Sequence, residues 1–167
     1  MGHYSQTFTP DPADTRSLRN ALGRFPTGVV IVTATVAGER IGMTMSSFNA
    51  LSLDPALILF SIGRHAHSLP LFEKAESYAI HVLSQDQTDL SNRFARAGAD
   101  KFAGVETTPS LNGAPHITGA QAIFDCVPNA IHDAGDHRLF VAQVSEIHLA
   151  EPSYPLIFSQ GGYVALR

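Results

Sequence analysis

Ile41–Ser68 reads IGMTMSSFNALSLDPALILFSIGRHAHS, and the fold turns on how this stretch is satisfied. Thr44, Ser46, Ser47, Ser52 and Ser61 stand between apolar residues, and Asp54-Pro55 interrupts the run. A segment this apolar belongs in an interior, where hydroxyls need hydrogen-bond partners. Two arrangements supply them. In one, these are ordinary Ser/Thr-bearing strands and turns whose hydroxyls bond nearby backbone. In the other, several hydroxyls face an oxygen-rich ligand. Gly63, Arg64 and Ser68, which follow the strand-like Leu57–Ile62, then complete a phosphate cradle of hydroxyls, N–H groups and one guanidinium.

Around this stretch the chain has 167 residues, which suits one domain with a sizeable core. Hydrophobic residues make up 44%, too many for a disordered chain. A net charge of −4 with no basic block argues against nucleic acid or an anionic membrane as the main partner. No apolar run is long enough to span a bilayer. The opening MGHYSQTFTPDPADT lacks the positive and apolar regions of a secretory leader, so a cytoplasmic protein is expected. Cys126 is the single cysteine and has no partner for an internal disulfide. Inside the strand-like AQAIFDCV it reads as a buried, inert thiol rather than a nucleophile.

Residues 1–13, polar and bearing two prolines, are expected to form a flexible arm ahead of a single domain over 14–167. Asp14 is placed to cap a helix with Leu18, Ala21, Leu22 and Phe25 on one side, ended by Pro26. VVIVTATV, residues 29–36, is β-branched and apolar on both faces, which predicts a central strand. Ala37-Gly38-Glu39-Arg40 predicts a hairpin turn into a second strand at Ile41, and Leu57–Ile62 a third. Ser68-Leu69-Pro70 opens a short helix that turns Leu69, Phe72 and Ala75 inward. Tyr78–Leu83 reads as a strand. Ser84 and Gln87 match a capping box before a helix with Leu90, Phe94 and Ala97 on one face, stopped by Gly98. Residues 98–118 read as a long loop of the kind that often carries function.

The last third is β again. Ala120–Val127 predicts a strand with Ala122, Phe124 and Cys126 on one face, and Pro128 an edge or bulge. His132–His137 predicts a turn, Leu139–Leu149 a long strand, and Pro155–Ser159 with Gly162–Leu166 a closing pair. About seven strands joined mostly by turns, with two or three peripheral helices, favour an antiparallel barrel over a doubly wound parallel sheet.

Eight histidines raise the question of a metal. His65 and His67 share a strand face and His132 and His137 flank one turn, but no H-E-x-x-H spacing is present and no metal is assigned. G-x-S-x-G, the P-loop and G-x-G-x-x-G are also missing, so any nucleotide is gripped without a Rossmann unit. Asp133, Asp136 and His137 form a polar cluster beside Gly135, either a solvated turn with a capping Asp or a His that faces a pocket. Lys101-Phe102 in the long loop offers a cation for a phosphate or simply an exposed lysine.

Five motifs then carry a family resemblance. Arg24-Phe25-Pro26-Thr27-Gly28-Val29, Gly42-Met43-Thr44-Met45-Ser46-Ser47-Phe48, Ser52-Leu53-Asp54-Pro55, Asp100–Val105 (DKFAGV) and Ala134-Gly135-Asp136-His137 resemble, in this order, the short-chain flavin reductases. These are the reductase components of two-component flavin-dependent monooxygenases. The resemblance spans roughly residues 16–166. It implies a mostly β, Greek-key split β-barrel of the FMN-binding type, usually a homodimer with flavin near the subunit interface. It also implies that NADH or NADPH reduces FMN or FAD, and that the reduced flavin leaves for a partner monooxygenase. Carried over by residue, Thr44, Met45, Ser46 and Ser47 belong to the stretch along the ribityl chain and phosphate, and Ser52, Leu53 and Asp54 to the ring border. Arg64 and Ser68 reach the phosphate, Lys101 and Phe102 close over the site, and Thr27 sits near the ring. His137 looks toward the isoalloxazine and the nicotinamide. The segment Arg64-His65-Ala66-His67-Ser68 departs from the family's commoner pattern of a short polar linker before the serine.

Hydride transfer between two cofactors asks the protein for position and polarity rather than a strong acid or nucleophile. The competing readings share the hydroxyl-rich cradle. One is a flavin-retaining oxidoreductase of the same fold that reduces a ferric chelate, a corrin or a quinone. The other is a non-catalytic flavin or haem carrier.

Overall fold

The computed structural model describes residues 5–98 and 100–166. Chain order is α1 (Thr15–Leu22), β1 (Thr27–Gly28), β2 (Val30–Val36), β3 (Glu39–Met45), β4 (Asn49–Leu53), β5 (Ala56–Gly63), α2 (Leu69–Lys74), β6 (Tyr78–Val82), a 3-10 turn (Gln85–Gln87), α3 (Thr88–Ala95), β7 (Thr107–Pro109), β8 (Pro115–Ile117), β9 (Ala122–Ala134), β10 (His137–Leu149), β11 (Ile157–Ser159) and β12 (Gly162–Val164). The first residues of the expected arm, 1–4, lie outside the described residues, and Ser5–Ala13 is exposed without helix or strand. Among the described residues no helix is long and apolar enough to cross a membrane.

Mostly β architecture is therefore observed, but with more strands than the sequence suggested, several of only two or three residues, while β9 and β10 run longer than expected at 13 residues each. Seven form one sheet in the order β3-β2-β6-β9-β10-β5-β4, and every pair is antiparallel. Hydrogen bonding leaves this sheet open rather than closed as a barrel, with β3 and β4 at its edges. Those edges are consecutive in the chain and separated only by Ser46–Phe48, so the sheet curls until they meet at that corner. The Ser47 hydroxyl makes the join: it accepts from Ser61 N–H at 3.0 Å and donates to Ser61 C=O at 3.2 Å. Ser47 lies where the β4–β5 register, with Asn49 opposite Leu59, would put a partner for Ser61. A side chain thus does the work of main-chain pairing.

β2 is buried on both faces, as its composition predicts. Val30, Val32 and Ala34 enter a core with Ile41 and Met45 from β3, Ile58, Phe60 and Ile62 from β5, and Phe140 and Ala142 from β10. Phe60 stacks on Phe140 at 5.0 Å and meets Tyr78 edge-on at 5.4 Å. Each such buried ring contributes about 1.5–3 kcal/mol through the water it sheds. Val29 and Ile31 turn the other way, into a second cluster with Phe94 of α3, Phe102, Ile117 and Leu156. The Thr33 hydroxyl on this second face donates to Pro115 C=O at 2.7 Å and fastens β8 over it.

Local signals explain many of the element ends. Asp14 caps α1 through Ser17 N–H at 3.3 Å, yet the helix stops at Gly23, before Pro26, and leaves Leu22 and Phe25 exposed. Ala37 and Gly38 both take positive φ, the two-residue turn whose twist suits a hairpin, so Glu39 already pairs with Val36. Gln87 Oε1 reaches back to Ser84 N–H at 3.0 Å. α3 ends at Ala95 because Arg96 adopts an extended ψ, so Ala97 leaves the helix instead of extending its apolar face. Inside the expected loop 98–118, β7 and β8 form a small hairpin. Pro128 does mark a bulge: Ala130 pairs with Val141 and Pro128 with Ala142, leaving Asn129 extra. The turn expected over His132–His137 is tighter, with only Gly135-Asp136 between paired strands. The Cys126 thiol is buried, and burial first, with Asp125 beside it, pushes its pKa up to about 12, as an inert thiol requires.

His81 shows how this second face is held. Its Nε2 accepts from Ile117 N–H at 3.0 Å, which makes Nδ1–H the donor to Ile31 C=O at 2.9 Å. Burial pushes its pKa down from 6.5 to about 4, so the folded ring stays neutral while an unfolded one takes a proton. The folded state binds fewer protons between those values. Stability is therefore full above pH 6.5 and falls as the pH drops toward 4, by about 3 kcal/mol from this group. Urea midpoints across that range should decline in the wild type and flatten in His81→Gln, which keeps a donor and an acceptor but does not titrate. Parallel profiles would refute this account.

Candidate functional site

A cavity of about 730 Å³ opens between β3, the His65–Ser68 turn before α2, and the chain that leaves α3 through Lys101-Phe102. Its size suits a small-molecule ligand or cofactor. Gly42 lines it with main chain alone, because a Cβ there would stand 2.5 Å from the buried Phe94 ring. Phe94 meets Phe102 edge-on at 5.0 Å, and the Arg40 guanidinium lies 4.7 Å over the Phe102 ring. Thr44 donates to Ser91 C=O at 2.7 Å and ties β3 to α3. Lys101 Nζ donates to Gly42 C=O at 3.0 Å and Phe94 C=O at 2.9 Å. An ammonium has three donors, so one remains for a ligand. Burial lowers the Lys101 pKa. The Ser68 side chain caps no N–H of α2. Arg40, Arg96 and Lys101 outnumber Glu39 and Asp100 around the opening, with His65 and His67 beside them, a balance that suits an anion.

Four of the residues singled out from sequence thus meet at one cavity: Thr44, Ser68, Lys101 and Phe102. His65 and His67, considered for a metal, also line it, whereas the other predicted cofactor and catalytic residues do not. Met45 points into the main core, and Ser47 is engaged at the sheet corner with Ser46 exposed beside it. Ser52 is half-buried on edge strand β4, where Leu53 is 95% exposed, and Asp54 is exposed in the turn that follows. Arg64 binds the β9–β10 hairpin, with Nε on Gly135 C=O at 2.9 Å and a terminal nitrogen 2.6 Å from Asp133. Asp133 also pairs with Arg138, and these two cations, Arg138 first, hold its carboxyl below the usual range. His137 stands on the same hairpin, its Nδ1 2.7 Å from the Asp136 carboxylate. The Thr27 hydroxyl is buried with no hydrogen-bond partner among the described residues. Arg40 and Arg96 were not singled out from sequence, since lone arginines carry no spacing signal. Nor was a cluster of His116, Asp125 and His148, which β9–β10 pairing and the packing of β8 over that sheet bring together.

With this geometry in place, comparison with known proteins assigns the family. The model of the flavin reductase like domain matches residues 22–167. The chain belongs to that family. This flavin reductase family member is 44% identical over 156 residues to the FMN reductase (NADH) SmoA of Agrobacterium fabrum, covering 93% of this chain and 88% of the relative. It is 37% identical over 154 residues to HsaB of Rhodococcus jostii, the reductase subunit of a flavin-dependent monooxygenase, covering 92% and 79%. The NADH:FAD oxidoreductase SgcE6 of Streptomyces globisporus, solved with NAD and FAD fragments, superposes with a TM-score of 0.90 at 31% identity, over 96% of this chain and 98% of that one.

The contact between Gly42 and Phe94 generates a direct test. Gly42→Ala forces the buried ring against Phe102 and should cost about 1–3 kcal/mol by overpacking. Urea denaturation reads the loss, and an unchanged midpoint would show that the ring has room to retreat.

Proposed function

We propose that this protein oxidises NADH or NADPH, reduces FMN or FAD, and supplies the reduced flavin to a partner flavin-dependent monooxygenase. The observation that carries this reading is the cavity at which Thr44, Ser68, Lys101 and Phe102, distant in sequence, converge in a flavin reductase family chain. The residues fit a flavin: a cation-rich opening with a remaining Lys101 donor suits phosphate. When bound, flavin supplies the ring that accepts a hydride and passes electrons on.

The chain's own part is to hold and orient. Lys101 and Ser68 take the phosphate end, with Phe102 closing over it. Ser46 and Ser47 line the tail at the sheet corner, and Ser52, Leu53 and Asp54 border the ring. Arg64 reaches phosphate by exchanging its Asp133 partner. His137 has Nδ1–H held by Asp136, so its Nε2 is left as an acceptor for a nicotinamide amide N–H. That arrangement makes it a positioning group rather than an obligatory proton donor.

The same reading extends to assembly. We take the fold to be a Greek-key split β-barrel, supported by sheet edges joined through Ser46–Phe48 and a core drawn from strands at both ends. We take the working unit to be a homodimer. Leu22, Phe25, Leu51 and Leu53 expose apolar surface, and a second copy laid over β4 would complete the ring border. We take Ser5–Ala13, exposed and outside any helix or strand, to be an arm to the domain that begins at Asp14, and the protein to work in the cytoplasm, where reduced nicotinamide is at hand.

NADH and NADPH oxidation, each measured with and without added FMN or FAD, tests the activity. Strong dependence on added flavin is expected. Full turnover on a retained flavin with another acceptor would replace this reading with the flavin-retaining one, and no oxidation under any condition would leave a carrier. His137→Ala should raise the NADH KM more than it lowers kcat at saturating NADH. Normal NADH affinity with collapsed kcat would refute the orienting role.

A further inference from the structure

The face of β6, β9 and β10 turned away from the main core carries a second polar cluster, and β8 crosses above it. Cys126 and Ile80 point into the main core, so their neighbours Asp125 and His81 point to the opposite face. Asp125 lies opposite Glu146 on β10, and His148 stands two residues further along the same strand and face. His116, the middle residue of β8, approaches from above, its Nε2 2.8 Å from Asp125 Oδ1. His148 Nε2 is 3.0 Å from Asp125 Oδ2, and Glu146 Oε2 lies 3.9 Å from that same nitrogen. Asp125 is only 3% exposed, and among the described residues its ion-pair partners are these two histidines alone, with no Lys or Arg. A carboxylate so buried requires hydrogen-bond donors or positive charge beside it.

We propose that His116, Asp125 and His148 form a binding site for one divalent transition-metal ion, zinc foremost, with Glu146 or water in the fourth position. The three donor atoms lie within 4.8 Å of one another. A tetrahedral zinc with bonds of about 2.0–2.1 Å sets neighbouring donors roughly 3.3 Å apart, so the two short His–Asp contacts, each to a different carboxylate oxygen, open slightly and the wider donor separations within the 4.8 Å cluster close toward that value. Each imidazole shifts its proton from Nε2 to Nδ1, which turns both lone pairs toward the ion without net proton loss. Two imidazoles with one or two carboxylates select zinc over magnesium or calcium, which prefer all-oxygen shells. The His148 side chain is 42% exposed and leaves a path for entry. His81 takes no part, since both its nitrogens are engaged. Such an ion would clamp the β7–β8 hairpin onto β9 and β10. That hairpin continues from Lys101-Phe102, so the clamp would brace the cavity wall from behind. This inference rests on the cluster itself and not on the flavin reading.

The test is zinc chloride titrated calorimetrically into the chelator-stripped full chain, alongside His148→Ala, His116→Ala and, as a control, the exposed His132→Ala. About one equivalent should bind to the wild type and to the control, with affinity at least ~10-fold weaker in both cluster variants. Zinc should also raise the wild-type Tm by several degrees and leave that of His148→Ala unmoved, while magnesium moves neither. His148 is half exposed, so its variant stays interpretable if His116→Ala fails to fold. Stoichiometric zinc with equal affinity in wild type and His148→Ala would overturn the proposal, as would no stoichiometric binding to the wild type.

Discussion

The architecture depends on a closure problem. A seven-stranded sheet whose two edges are consecutive strands has only Ser46–Phe48 with which to join them. Open edges expose unpaired N–H and C=O groups, and so short a connection brings the two edges to one corner with no main-chain ladder between them. The Ser47 hydroxyl resolves the conflict because it accepts and donates at once, satisfying both backbone groups of Ser61. An alanine or valine at that position has neither capacity. The hydroxyl-rich stretch is therefore first a requirement of topology: Ser47 and Thr44 both commit their hydroxyls to backbone groups.

From that curl follow the two faces of β2. The inner face packs the aromatic core, and the outer face needs a cover that α3, β8 and the closing hairpin provide. Cover and sheet meet at Gly42, where absence of a side chain lets Phe94 press against the strand. The cavity lies at the margin of this contact. Two groups of its polar lining are internally bonded: Thr44 to Ser91, and Lys101 to two carbonyls. These bonds fix the side chains in advance, which lowers the entropy cost of receiving a ligand.

Parts of this were legible in the sequence for definite reasons. The run at 29–36 is β-branched on both faces, so its central burial could be read directly. Asp14, Gln87 and Pro128 act through local backbone geometry, which spacing reports. β4 was hidden because Asn49 and Ser52 break the apolar alternation while main-chain bonds to β5 carry the strand. β7 and β8 are three residues each, too short to display a period. At the cavity, the family motifs pointed to Thr44, Ser68, Lys101 and Phe102. That Met45 turns into the core and Arg64 is tied to the hairpin depends on strand phase and on partners far along the chain. The His116–Asp125–His148 cluster spans separations of 9 and 23 residues and was invisible for the same reason.

Gly42 carries one more implication. Where a binding surface is peptide backbone, replacing side chains cannot easily reshape it, and any Cβ added there runs into an aromatic ring. Variation is then channelled outward, to Arg40, His65, His67 and Arg96 around the opening. A lineage can retune what enters by exchanging those rim groups while the inner contour stays constant. Divergence in ligand preference on this scaffold should accordingly accumulate at the mouth and spare the floor.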